Sequence, residues 1–339
     1  MKHNYRLFRA LVAGFCLLML SLQVGCMVSD KQVIAQAADV HQGLSPAVVT
    51  DAQLSTYIEN VGHRLIEAAR IVHESEKAKD TQDSTWMFSN EMQFHMVASE
   101  TLNAFTTGGT HMYIYTGLFQ DTKSEAELAA VMSHEFAHVY ARHVAKGMAR
   151  QQYALVGAAA AGAAGYALGE GDNKLGSAAG FAGAAGAVGQ FMGMGYGRED
   201  EREADRLGFR FYVQAGYDPK EFSGFFKSMI KQGHDSTPEM MSTHPSLESR
   251  VVEIEKSVAE LPANVDSLRR QPEANSARYR ELQARSKTVV ASMPKDQTLQ
   301  EAALLASAIP NHMLPVQEPK QQQAQFRLES YLQKRDAAR

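Results

Sequence analysis

His134-Glu135-Phe136-Ala137-His138 is the stretch on which the reading of this 339-residue chain turns. On an α-helix, positions i and i+4 lie one above the other, so both imidazoles reach a single ion, as a zinc site requires. Glu135 then sits beside them, placed to act on a metal-activated water. The preceding Ser124-Glu125-Ala126-Glu127 has the Ser-x-x-Glu form of a capping box, which predicts a helix running from there through the motif to about Ala149. A pair of ordinary core or surface histidines is the alternative reading.

A third ligand narrows that alternative. Glu199-Asp200-Glu201-Arg202-Glu203-Ala204-Asp205 is a charged opening to a second helix, whose apolar positions include Leu207, Phe211 and Tyr212. Catalytic zinc takes three protein ligands and keeps a fourth position for water. Glu201 and Asp205 are spaced i, i+4 and share a face, so Glu201 is expected to complete the ligand set with His134 and His138. Asp205 is then expected to accept the free ring N–H of a ligand histidine. Glu203 points away from Asp205 and is the poorer partner in that arrangement. His143, five positions after His138 on a continuous helix, falls off the ligand face and reads as a packed or surface residue.

The motif followed by Glu-x-x-Ala-Asp resembles the gluzincin metallopeptidases of the HtpX and CAAX prenyl endopeptidase family, and within it the exported BepA-like and LoiP-like branch. Asn103-Ala104-Phe105, the run from Gly108-Gly109 to Leu118, and Thr243-His244-Pro245-Ser246-Leu247-Glu248-Ser249-Arg250 carry the same likeness, which spans about residues 46–262. Thr107 departs from it, because the family often has Pro before its Gly-Gly pair; a changed turn is expected. The resemblance implies one Zn²⁺ per chain and polypeptide substrates in extended form, bound as an added strand along an edge at Asn103, Ala104 and Phe105. An interior hairpin is the other reading of that stretch. It also implies that His244 either occupies the fourth metal position in a resting form or helps stabilise the transition state, a surface loop histidine being the alternative. Arg250 would support that loop or the developing oxyanion.

The front of the chain reads as an export signal. Lys2, Arg6 and Arg9 precede thirteen apolar or small residues, Ala10 to Leu22, too few to span a bilayer comfortably. Leu22-Gln23-Val24-Gly25-Cys26 resembles a lipoprotein processing site, which makes Cys26 the expected lipidation point, although Gln23 stands where Leu is preferred. Met27, by the same kind of resemblance, points to the periplasmic side of the outer membrane. The other cysteine, Cys16, lies in the apolar stretch, so no disulfide framework is expected in the folded part. Removing three of the 34 basic residues and none of the 38 acidic ones leaves the remainder at −7. Neither nucleic-acid binding nor attraction to an anionic membrane fits that balance, so membrane contact is expected through the lipid.

Elsewhere, a helical stripe starts at Asp51 and runs through Leu54, Tyr57, Ile58, Val61, Leu65 and Ala68. The interval from Trp86 to Thr116 reads as a small antiparallel sheet, with Met112-Tyr113-Ile114-Tyr115 a strand. The Ala- and Gly-rich stretch 157–197 reads as a packed helical hairpin, a movable lid or a membrane-inserted hairpin. Beyond Pro262, Leu299–Leu305 and Phe326–Leu332 look amphipathic and fit packing on the protease or binding a partner. The expectation is therefore an α+β, predominantly helical chain: signal peptide 1–25, lipidated linker 26–45, metallopeptidase domain 46–262 and helical extension 263–339. Its expected role is a zinc endopeptidase acting on unfolded or misassembled envelope proteins, with Glu135 as general base and outer-membrane assembly machinery as a partner. A chaperone-like assembly factor and a zinc hydrolase of peptidoglycan-type substrates are the competing classes.

Overall fold

The computed structural model describes residues 28–76, 83–154, 196–234, 245–262 and 276–310, together with position 327. Cys26 as the expected lipidation point, the expected signal peptide, His244, nearly all of the Ala- and Gly-rich stretch and all of Phe326–Leu332 except Arg327 lie outside them.

Ser29 starts the first helix among the described residues, α1 (Asp30–Leu44), through a reciprocal capping box with Gln32. Asp51 caps α2 (Ala52–Ser75) by accepting from the Gln53 and Leu54 amides, and its stripe from Leu54 to Val72 is buried. Three strands follow, β1 (Gln93–Val97), β2 (Ala104–Thr106) and β3 (His111–Tyr115), in the order β1-β3-β2. The sheet is mixed, not purely antiparallel: β2 runs antiparallel to β3, but β1 runs parallel to it, with Phe94 opposite Met112. A parallel pair needs a long crossover. Residues 98–110 supply it, and they carry β2 to the far edge on the way.

Side chains of the central strand alternate cleanly. Met112 and Ile114 enter one core with Phe94 and Met96, while Tyr113 and Tyr115 enter another with Phe105. Every β3 residue is buried, as expected of a strand covered on both faces. The short helix α3 (Thr116–Asp121) leads into α4 (Glu125–Tyr140), which carries the His-Glu-x-x-His motif. The Ser124 hydroxyl accepts from the Glu127 amide, but the Glu127 carboxylate reaches back to the Lys123 N–H instead of closing the box on Ser124.

The predicted run to Ala149 is broken. α4 ends at Tyr140, Arg142 takes the left-handed conformation with φ 55°, and a new helix, α5, spans 143–154. A non-glycine residue there is uncommon and costs about 1 kcal/mol or more. The Arg142 guanidinium offsets this by bonding Asp30 of α1 at 3.1 Å and the Ser84 hydroxyl at 3.1 Å.

The remaining helices are α6 (Arg198–Gln214), α7 (Gly224–Lys231), α8 (Leu247–Ala259), α9 (Ser276–Ser292) and α10 (Gln297–Ala308). Residues 30–44, expected within a linker, form α1 and bury Val33, Val40 and Leu44 in the second core. Apolar spacing at 33, 37, 40 and 44 is the physical reason. The extension folds back on the rest of the chain: Tyr279 and Leu282 of α9 enter the main core, and Ala302, Leu305 and Ala306 of α10 enter the second. No helix among the described residues is long and apolar enough to cross a membrane.

Close approach of α6 to α4 is what positions the site. A Cβ at Gly208 would lie 3.0 Å from the His134 backbone, so the two helices touch there with no side chain between them. Gly208→Val should therefore push the helices apart, destabilising the fold by about 1–3 kcal/mol. Urea denaturation reads that loss, and zinc affinity should fall with it.

Candidate metal centre

α4 is buried almost throughout, including His134, Glu135 and His138, all at 0% exposure. Its imidazoles are aimed at one another, with His134 Nε2 3.0 Å from His138 Nε2. Glu201, in the first turn of α6, faces the same space, 3.4 Å from His134 Nε2 and 3.7 Å from His138 Nε2. These three residues form a possible metal site, one ligand atom of each lying within 4.8 Å of the others.

What surrounds the imidazoles decides where their protons sit. His134 Nδ1 is 2.9 Å from Asp205 Oδ1, so it donates there and leaves the Nε2 lone pair inward. His138 Nδ1 lies 2.8 Å from His143 Nδ1, and His143 Nε2 donates to Glu203 Oε2 at 3.0 Å. Burial outweighs the bond to Glu203 and lowers the pKa of His143, keeping that ring neutral and able to accept from His138. His138 Nε2 then also presents a lone pair inward. The 3.0 Å approach of the two Nε2 atoms is met either by a shared proton or by a metal ion, and two imidazoles facing a carboxylate are a donor set that fits zinc. Burial disfavours charge on His134, but the Asp205 and Glu201 carboxylates outweigh it and raise its pKa to about 9. The surroundings thus favour positive charge at this spot.

Asp205 is held by a buried fork. Arg250 Nε and Nη2 donate to its two oxygens at 2.8 and 2.7 Å, while Nη1 lies 3.7 Å from Glu201 Oε2. Burial alone would raise the Asp205 pKa; the Arg250 charge and the His134 bond overcome it and hold the carboxyl at about 2. Arg250 also packs over the Phe226 ring at 4.1 Å. It is set among the ligands and their supports, at the start of α8, and its two bonded donors serve Asp205.

Glu135 projects from the same helix turn as its neighbouring imidazoles. Neither carboxylate oxygen meets a donor in hydrogen-bond geometry among the described residues, although the nearby Thr106 amide of β2 favours its charged form. Burial, with the Glu201 charge adding to it, raises its pKa to about 8 in spite of His134 and Thr106. A buried carboxyl poised near neutrality is suited to accept and return a proton.

The substrate-edge residues are placed differently from one another. Ala104 and Phe105 lie in β2, the sheet's edge strand beside α4, and Asn103 precedes it, its amide donating to the Ile309 and Pro310 carbonyls at 3.4 Å. All three side chains are fully buried. Only backbone along this edge is therefore offered for pairing.

Three residues of the site escaped the sequence reading. His143 reaches His138 because the break at Arg142 redirects the chain, which a continuous helix would not allow. Glu203, facing away from Asp205 on α6, supports that second histidine instead. Tyr196, just before α6, stacks on His138 with centroids 4.0 Å apart. No composition signal marks any of them, since Arg142 is an ordinary residue in an unusual conformation.

Two buried imidazoles, a carboxylate across from them and an unbonded glutamate between define a metallohydrolase-type centre. The pattern of peptidase family M48 matches residues 53–258, and the chain belongs to that metallopeptidase family. It is 33% identical over 218 residues to a putative beta-barrel assembly-enhancing protease of Vibrio cholerae, an alignment covering 63% of this chain and 41% of the relative. It is 30% identical to the Escherichia coli beta-barrel assembly-enhancing protease, covering 62% and 40%. The metalloprotease LoiP of Escherichia coli is 26% identical, covering 68% and 89%. The chain spans about two fifths of the length of the assembly-enhancing relatives it matches.

Arg250→Met would leave a charged Asp205 buried without its partner, which should cost about 3–5 kcal/mol in chemical denaturation. His143→Ala removes the acceptor behind His138 and should weaken zinc binding about 10–100-fold by competition with a chromogenic chelator, while leaving the fold intact.

Proposed function

We propose that this chain is a zinc-dependent endopeptidase of the cell envelope, with His134, His138 and Glu201 as ligands and Glu135 as general base. The observation that carries the reading is the convergence of two inward-facing imidazole nitrogens and Glu201 on one point beside a buried, unbonded Glu135. Zn²⁺ bound there would polarise a scissile carbonyl and acidify a water. Glu135 accepts the proton from that water and later returns it to the leaving amine; a nearby cation draws its pKa down from about 8 and makes it a working base. Asp205 holds the His134 ring in its tautomer, and Arg250 holds Asp205. Arg250 is thus a positioning residue in this reading, and His244 is assigned to the fourth metal position or to transition-state support.

Extended polypeptide pairs by its backbone along β2, where Thr106 neighbours Glu135, so selectivity falls on unfolded or misassembled chains. The names of the assembly-enhancing relatives support an envelope substrate and contact with outer-membrane assembly machinery. The apolar stretch and Cys26 support a lipid anchor on the periplasmic side of that membrane.

Glu135→Gln should keep its zinc and lose casein hydrolysis by at least about 10²-fold. Undiminished casein cleavage by that variant would remove Glu135 from the chemistry. Hydrolysis of muropeptides but not of casein by the wild type would move the enzyme to another substrate class.

A further inference from the structure

Away from the metal centre, three histidines from three elements meet. His41 of α1, His95 of β1 and His111 of β3 each place one ring nitrogen within 4.8 Å of the other two. His95 Nε2 lies 2.9 Å from His111 Nδ1, the same kind of nitrogen-to-nitrogen approach, at nearly the same distance, as between His134 and His138. The sheet brings these two together. β1 and β3 run parallel, with Gln93 opposite His111 and His95 opposite Tyr113, and alternation puts His95, His111 and Tyr113 on the face that α1 covers. α1 then lays His41 over the pair, its ring centroid 4.5 Å from that of His95 and 4.3 Å from that of His111. The Tyr113 hydroxyl bonds His41 Nδ1 at 2.9 Å and steadies the ring.

A stack of neutral imidazoles joined by hydrogen bonds is the bland account of this cluster. Its chemistry argues for more. Three nitrogen donors without an oxygen ligand do not suit Mg²⁺ or Ca²⁺, but they are what Zn²⁺ and its transition-metal neighbours take. Zn–N bonds of about 2.0–2.1 Å in a tetrahedron set ligand nitrogens roughly 3.3 Å apart, so the His95–His111 pair needs only a small opening and His41 a ring rotation. His41 and His95 are half-buried, which leaves a way in for the ion and for a water as fourth ligand. Burial lowers the pKa of all three, to about 3 for His95 and about 4 for His111, so at neutral pH no proton has to leave before a metal binds.

We propose that His41, His95 and His111 form a second transition-metal site, suited to Zn²⁺, that pins α1 to the sheet. It shares no residue with His134, His138 and Glu201, and His41 lies outside the stretch matched to the peptidase family. The site therefore stands or falls separately from the proposed protease activity.

The test is metal stoichiometry on the full, untagged chain, loaded with Zn²⁺, passed through a desalting column and measured by inductively coupled plasma mass spectrometry. Wild type should carry two equivalents, and His41→Ala and His95→Asn one each. A His134→Ala/His138→Ala chain should also keep one, and Co²⁺ bound to it should show the d–d absorption of a tetrahedral site. Two equivalents in His41→Ala, or none in the folded His134→Ala/His138→Ala chain, would each overturn the site, as would a single wild-type equivalent that the His134→Ala/His138→Ala chain loses. Should that double variant not fold, the single change His138→Gln takes its place in the same count.

Discussion

One buried carboxylate, Asp205, organises the centre of this molecule. It accepts from His134 on one side and from both arms of the Arg250 fork on the other, and so ties α4, α6 and α8 together at a point no water reaches freely. Burying such a charge is tolerable only because both of its oxygens accept hydrogen bonds, two of them from a guanidinium. The same bonds set the orientation of the His134 ring and the register of two helices. Fold stability and the geometry of the imidazole pair are therefore not separable here; a change that loosens one loosens the other.

The sheet plays a quieter part. Its central strand is wholly buried, and its two faces feed two cores that share no side chain. One core stands behind α4, and the other gathers α1, α10 and the aromatic side chains of β2 and β3. Through Asn103 and Tyr115, whose hydroxyl donates to the Ala306 carbonyl at 2.6 Å, the second core also fixes where α10 stops. Residues remote in sequence thus frame the strand that lies next to Glu135.

How much of this was legible in the sequence follows the range of the forces involved. The i, i+4 spacing of His134 with His138 and of Glu201 with Asp205 is a local helical relation, and the geometry of each pair could be drawn from residue numbers alone. The stripe beginning at Asp51 was equally local. The parallel pairing of β1 with β3 was not, because nothing in either strand states which neighbour it takes when a third strand lies between them in sequence. The partner of His138 was hidden for another reason. It depends on a single left-handed residue, Arg142, that local preference disfavours and that only distant contacts to Asp30 and Ser84 stabilise.

That left-handed residue has a mechanical side. Asp30, at the beginning of α1, holds both the Arg142 guanidinium and, at 3.0 Å, the Trp86 indole N–H. The residue after Arg142 is His143, which bears on the His138 ring. A load applied at the start of α1 thus runs through one ion pair and one peptide bond before it meets the ring that bears on His138, a path short enough for a pull on that helix to be felt as a tilt of an imidazole.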